Sequence, residues 1–288
     1  MNNKIKPKNK LSIERFNKLR VIFDSKKWPI EDVFMNNEFD KFHEMLEHLN
    51  DEEQDLILLL LNDFIKIEGS EYMKLFYPLF EEFAESAHER GNKRILLSPL
   101  IAPSDIGKTK SSTFLFYQIK SKISNLRVKF NYIEIECYDY HELLLKRLEQ
   151  TDIICLVDDF IGTGETACSA VLNLCKNFLS AFEITDNIAV MILICQNEGL
   201  LKLHEIISKE NVFAQITRNK GISDNYIDFK SKLSIMAKIE QRIKVKGKYS
   251  YGYKQSESLV KVERIPNNTF PIFWYKNNII PVPFPRES

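Results

Sequence analysis

Between Arg94 and Arg218 short apolar runs alternate with turn residues and amphipathic stretches of helical length, and this rhythm is the strongest constraint on the fold. The runs are RILLSP, VKFNYIEIE, DIICLVDD, NIAVMILICQ and VFAQITR. Helices are expected between them, beginning at Ser111 and spanning 141–149, 165–179 and 200–208. Continuous apolar runs suit strands buried on both faces, and parallel strands require helical crossovers. The expectation is an α/β domain over residues 92–220, with a mostly parallel sheet flanked by helices.

The flanks follow other patterns. Apolar residues recur at helical spacing through Phe34, Phe39, Phe42, Met45, Leu46 and Leu49, then through Leu56, Leu59, Leu60 and Phe64. Met73, Phe76, Leu79, Phe80 and Phe83 repeat the signal, with Glu71, Glu81, Glu82 and Glu85 opposite. Residues 12–91 are therefore expected to form a helical N-terminal module, preceded by a loose tail over 1–11. Past residue 220 a helix over 226–243 leads into RIKVKGKYSYGYKQ. There Arg242, Lys244, Lys246 and Lys248 alternate ahead of Tyr249, Tyr251 and Tyr253, as on a strand with one basic face. That pattern suits a charged edge strand that resists aggregation; the sharper alternative is a surface for a phosphate-rich partner such as nucleic acid. Residues 221–288 are read as a C-terminal hood. Its aromatics, Phe273 and Trp274 among them, need cover and are expected to pack on the sheet domain, with Asn267 and Asn268 forming a turn.

Composition removes several classes. Forty basic residues balance forty acidic ones, so no global field draws the chain to nucleic acid or an anionic membrane. No apolar run approaches the ~18 residues of a membrane span. The basic N-terminus leads into no apolar signal core, and a cytoplasmic location is expected. The five cysteines show no CxxC pairing, and reduced thiols are expected. His43 and His48 lie five apart and make no zinc pair on one helix face.

The segment ICLVDDFIGTGETACSA runs strand, two carboxylates, a loop with two glycines and two threonines, then helix. Asp158 and Asp159 stand at the carboxyl end of a buried strand, where open α/β sheets place ligands, and adjacent carboxylates can accept hydrogen bonds from a sugar diol. Gly162 and Gly164 permit a tight turn that presents backbone N–H groups at a helix N-terminus, an arrangement that attracts phosphate. Thr163 and Thr166 add hydroxyl donors, and Ile161 and Glu165 complete the loop. A diol reader beside a phosphate cradle suits a ribose 5-phosphate.

With Asp158, Asp159, Thr163, Gly164 and Thr166 the sequence resembles the type I phosphoribosyltransferases, whose signature is an apolar strand, two acidic residues and a loop ending Thr-Gly-x-Thr. The resemblance implies that Asp158 and Asp159, the candidate catalytic pair, bind the ribose 2- and 3-hydroxyls of phosphoribosyl pyrophosphate while residues 161–166 bind its 5-phosphate. It further implies a loop after the first sheet strand for pyrophosphate and Mg2+, the ion being reached by Asp158 and Asp159 indirectly or through the substrate. The candidate is APSDIGKTKSS, with Gly107, Lys108, Thr109, Lys110 and Ser111. The same stretch, residues 102–109, also fits a relaxed Walker A pattern with DIICLVDD as Walker B. Against this P-loop nucleotide-hydrolase reading, Ala102 stands where glycine is wanted and Pro103 removes an amide donor.

The segment GYKQSESLVKVERIPNNTFPIFWY and the helical N-terminus resemble the phosphoribosyltransferase-like proteins of bacterial anti-phage conflict systems, some retron-associated. This implies an effector or accessory in defence, with a defence-system protein, nucleic acid or a second copy of the chain as partner. One departure concerns catalysis: the position of the enzymes' mobile catalytic loop is held by CYDYHELLLKRLEQT, which reads as a helix and offers Tyr138, Asp139 and His141. A non-catalytic regulator that binds phosphoribosyl pyrophosphate or a nucleotide is the alternative to a pentosyl-transferring enzyme.

Overall fold

The computed structural model describes residues 9–31, 37–107, 110–178 and 184–286. In chain order these form α1 (Ile13–Lys26), α2 (Glu38–Glu47), α3 (Asp51–Asp63), β1 (Ile65–Lys66), α4 (Tyr72–Glu89) and β2 (Arg94–Pro99). There follow α5 (Ser111–Ser121), α6 (Ile123–Lys129), β3 (Glu134–Cys137), α7 (Tyr140–Leu143), β4 (Asp152–Ile161) and α8 (Glu165–Phe178). The chain ends with β5 (Ile188–Gln196), α9 (Asn197–His204), β6 (Val212–Arg218), α10 (Phe229–Arg242) and β7 (Val260–Lys261). Among the described residues no helix is long and apolar enough to cross a membrane. The chain divides into two compact units, Ile67–Arg218 and the combination of Met1–Lys66 with Asn219–Ser288.

The unit Ile67–Arg218 holds the expected sheet, five parallel strands in the order β3-β2-β4-β5-β6. β4 and β5 are buried almost throughout, which accounts for their unbroken apolar runs. On one face Leu96, Ile154, Leu156, Val190 and Ile192 pack with Ala167, Ala170, Val171 and Leu174 of α8. Helix α4 also belongs to this unit, not with the N-terminal helices. Its Phe80 and Phe83 meet Phe130 and Phe213 edge-on at 5.2 and 5.3 Å, which ties it to the sheet unit. At the start of the strands Arg94 clamps Asp152 on the neighbouring strand with two bonds of 2.9 and 2.6 Å.

The second unit joins the two ends of the chain, so the N-terminal helices and the C-terminal segment are one body and not separate appendages. Phe23, Trp28, Phe42 and Phe64 from the N-terminal part form one aromatic cluster with Phe273 and Phe284. The Phe64 and Phe273 rings lie 4.9 Å apart and those of Phe42 and Phe284 5.5 Å apart. β1 pairs in parallel with β7, Ile65 opposite Val260. The C-terminal aromatics therefore find their cover on α1 to α3. Phe34 and most of the expected tail lie outside the described residues.

The expected basic strand is absent from this unit. Arg242 is the last residue of α10 and pairs with Glu53 at 2.8 Å. Lys244 turns the chain with a φ of 56°, and Gly247–Tyr249 is a single 3-10 turn. Glu240 explains the reversal: buried near the end of α10, it accepts a hydrogen bond from the Ser250 hydroxyl at 2.8 Å and from the Tyr251 amide at 2.9 Å. That grip folds residues 250 and 251 back onto the helix, where a strand would lead away.

Burial pushes the Glu240 carboxyl up to about 7 despite these donors. A carboxyl whose folded-state pKa lies above its unfolded value favours folding at low pH, and the contribution is lost as pH rises through the folded value. The melting temperature is therefore expected to fall between about pH 5 and about pH 7 and to level off above, and Glu240→Gln to reduce that fall. Thermal unfolding of both proteins across the interval is the check; parallel curves would exclude Glu240 as the cause.

Candidate functional site

In the sheet β2 leads to β3 on one side, while β4 leads to β5 on the other. The carboxyl ends of β2 and β4 thus flank the point where the connections reverse, the crevice at which open parallel sheets bind ligands. Two loops predicted from sequence leave from these ends: the one after β2 toward α5, and the one from β4 into α8.

Asp158 and Asp159 lie deeper than expected for residues emerging at a strand end. β4 continues to Ile161 because β5 runs beside it that far, with Phe160 opposite Ile194 and Ile161 opposite Cys195. Both carboxylates are buried, Asp159 completely. Asp159 is held by the Tyr72 hydroxyl, which donates to Oδ2 at 2.6 Å, while its Oδ1 is buried and has no hydrogen-bond donor among the described residues. Asp158 accepts from the Asp159 amide at 2.9 Å. Burial, followed by the adjacent Asp159 charge, pushes the Asp158 carboxyl well above the usual carboxylate range. The pair thus offers one unsatisfied buried acceptor, Asp159 Oδ1, beside an Asp158 carboxyl biased toward its protonated form, a combination suited to hydroxyl groups, which both donate and accept.

The loop after β4 is shaped by two glycines that sequence periodicity does not connect. Gly164 has a φ of +78°, a conformation side chains rarely adopt, and its carbonyl accepts the Cys168 amide at 2.8 Å to begin α8. Residues 161–164 are buried, whereas Glu165 and Thr166 of the first helical turn are exposed. Gly199 of α9 backs this loop: a Cβ there would lie 2.4 Å from the Gly162 carbonyl oxygen and 3.1 Å from the Gly164 nitrogen. Backbone therefore touches backbone, and the start of α8, with its unsatisfied amides, is set in place.

In the loop after β2, Pro103–Asp105 forms a 3-10 turn in which the Asp105 amide donates to the Ala102 carbonyl at 2.8 Å. An amide spent within the turn cannot line a phosphate cradle, which counts against the Walker A reading of this stretch. Gly107 has a φ of +82° with open space around it. Lys108 and Thr109 lie outside the described residues. Lys110 is ion-paired with Asp105 at 2.7 Å, Ser111 opens α5, and the Ser112 hydroxyl donates to the Leu100 carbonyl at 3.0 Å.

The segment after β3 differs from expectation. The helix foreseen over 141–149 is a single turn, α7, because the Asp152 carboxylate accepts the Glu149 amide at 2.8 Å and shapes a turn into β4. Buried Tyr140 donates to the Ala170 carbonyl of α8 at 3.1 Å and accepts from Asn173, which pins the segment. The Tyr138 hydroxyl is engaged by Glu136, and His141 is exposed. Tyr72 and Gly199 are the site residues that the motif did not announce.

Fold and site together define a phosphoribosyltransferase-like α/β protein. A family model described as PRTase-CE matches residues 35–284, and the chain belongs to that family. No curated protein matches it.

Two substitutions probe this geometry. Asp158→Asn removes a buried acid whose raised folded pKa costs stability increasingly as pH rises. Its melting temperature should exceed the parent's by about 2 °C or more at pH 8, the gap closing in acid; an unchanged or lower value at pH 8 would contradict the buried-acid account. Gly199→Ala forces the loop away from α9 and should cost about 1–3 kcal/mol in denaturant unfolding, whereas no change would show that the close approach is not maintained.

Proposed function

We propose that the sheet unit binds phosphoribosyl pyrophosphate or a ribose 5-phosphate nucleotide. The observation that carries this reading is the Asp159 carboxylate, with one oxygen fixed by Tyr72 and the other buried without a donor among the described residues. A buried acceptor in that state is compensated when a ligand hydroxyl donates to it. Asp158 and Asp159 would take the sugar hydroxyls, and residues 161–166 the 5-phosphate at the start of α8. The loop with Gly107, Lys108, Thr109, Lys110 and Ser111 would take the pyrophosphate.

Magnesium fits this donor set as an ion carried by the pyrophosphate. Among the described residues no group of three or more His, Cys, Asp or Glu is arranged to hold a metal directly. When bound, the ion would neutralise charge on the leaving group. The chain's own residues would orient the sugar and keep water from the anomeric carbon, where a bond to pyrophosphate breaks and one to an acceptor forms.

One observation favours binding without turnover. The segment after β3, the place of the catalytic loop, is anchored to α8 through Tyr140. A regulator that binds the same ligand is therefore the second reading. The resemblance at the C-terminal segment supports a place in bacterial anti-phage defence; equal plaque counts with and without the chain would remove that role.

Calorimetric titration with phosphoribosyl pyrophosphate and with ribose 5-phosphate, each with magnesium, tests the site. Both should bind, the first more tightly, and Tyr72→Phe should weaken both by about ten-fold through loss of a hydrogen bond to a charged group. Lys108→Ala should weaken only the pyrophosphate ester. Absence of binding by either ligand would overturn the proposal, and pyrophosphate release with a nucleobase acceptor would decide for the enzyme over the regulator.

A further inference from the structure

The loop proposed to take the 5-phosphate carries no cation of its own. Residues 161–166 supply two hydroxyls, backbone amides and the partial positive charge at the start of α8, and their one ionisable side chain is the Glu165 carboxylate. A phosphate dianion is held more strongly where a full positive charge joins such donors. That charge stands beside the loop, on a helix that the motif does not include.

Helix α9 packs on the loop through Gly199, and Lys202 follows one turn later on the same face. A Cβ on Gly164 would lie 3.0 Å from the Gly199 Cα and 3.4 Å from the Lys202 Cβ, so the lysine stem begins against the turn that opens α8. Its charge is felt in the first turn of α8, at Cys168, whose amide closes that turn onto the Gly164 carbonyl. Burial pushes the Cys168 thiol up, and Lys202 pulls it back. Lys202 Nζ is ion-paired with Glu198 at 3.0 Å, the two side chains being 38% and 33% exposed. A pair of this kind, four residues apart at a helix surface, holds its lysine weakly.

We propose that Lys202 binds the 5-phosphate of the ligand at the start of α8, exchanging the Glu198 carboxylate for the phosphate. The inference rests on the reading that residues 161–166 receive that phosphate. Lysine suits the task as a point charge on a flexible four-carbon stem, because the head moves between two acceptors while the helix stays in place. Gly199 brings α9 close enough for the stem to reach, so one backbone approach both shapes the loop and delivers the charge. Glu198 competes with the ligand for the ammonium.

The test titrates the full chain with ribose 5-phosphate by calorimetry and compares three variants. Lys202→Met keeps the length of the stem and removes the charge. It should bind about ten-fold more weakly, the effect of losing one charge-assisted contact. Lys202→Arg should restore most of the affinity, and Glu198→Gln, which releases the ammonium, should bind more tightly than the parent. Added salt should weaken the parent more than Lys202→Met, since screening acts on the charge that the variant lacks. Melting temperatures close to the parent's are expected for all three, because exposed pairs contribute little to stability. Equal affinities in the parent, Lys202→Met and Glu198→Gln would overturn the inference and leave the reading of the site standing. A parent chain that does not bind ribose 5-phosphate would remove both.

Discussion

Strand β4 is laddered on both edges, to β2 from Arg94 opposite Asp152 up to Pro99 opposite Val157, and to β5 from Ile154 opposite Ile188 up to Ile161 opposite Cys195. Because the β5 side continues after the β2 side has ended, the last residues of β4 are fixed by one neighbour and freed by the other. Asp158 and Asp159 lie in that half-released stretch. The ladder keeps them desolvated, and the departure of β2 opens the crevice beside them. Tyr72, Gly164 and Gly199 all act on positions that this ladder has already placed.

The site combines two kinds of constraint. The carboxyl pair is electrostatic: burial and the adjacent Asp159 charge raise Asp158, so stability is given up there as pH rises. The loop is steric: Gly164 needs its left-handed backbone, and Gly199 needs the absence of a side chain because the Gly162 carbonyl occupies that space. One constraint sets the charge state of the carboxyl pair, and the other sets the path of the loop backbone into α8.

Much of this was legible in the sequence, for local reasons. β2, β4 and β5 announce themselves as continuous apolar runs because both faces are covered, and Asp158 to Thr166 is contiguous, so the motif and its geometry coincide. Tyr72 left no such signal: it opens an amphipathic helix 87 residues before its partner, and nothing in the helix pattern separates an aromatic that fills a core from one that grips a carboxylate. Gly199 reads only as a weak helix residue until Gly162 is seen against it. The alternating lysines after Arg242 mimic a strand by period alone; the Glu240 carboxylate, which turns the chain there, belongs to the preceding helix. Likewise the cover over Phe273 comes from Phe42 and Phe64, a pairing that periodicity cannot express.

The pairing of the chain ends has a bearing on biogenesis. Ile65 donates its amide to the Leu259 carbonyl, and Gly221 donates to the Glu257 carbonyl, so both borders of the inserted sheet unit are tied to the same short stretch near the C-terminus. During synthesis the sheet unit has all its strands once Arg218 has left the ribosome, whereas α1 to α3 must wait for Phe273 and Phe284 before their aromatic faces are covered. Helices made before the sheet unit are thus completed after it, and the apolar faces of α1 to α3 are the surfaces that a chaperone would meet in the interval.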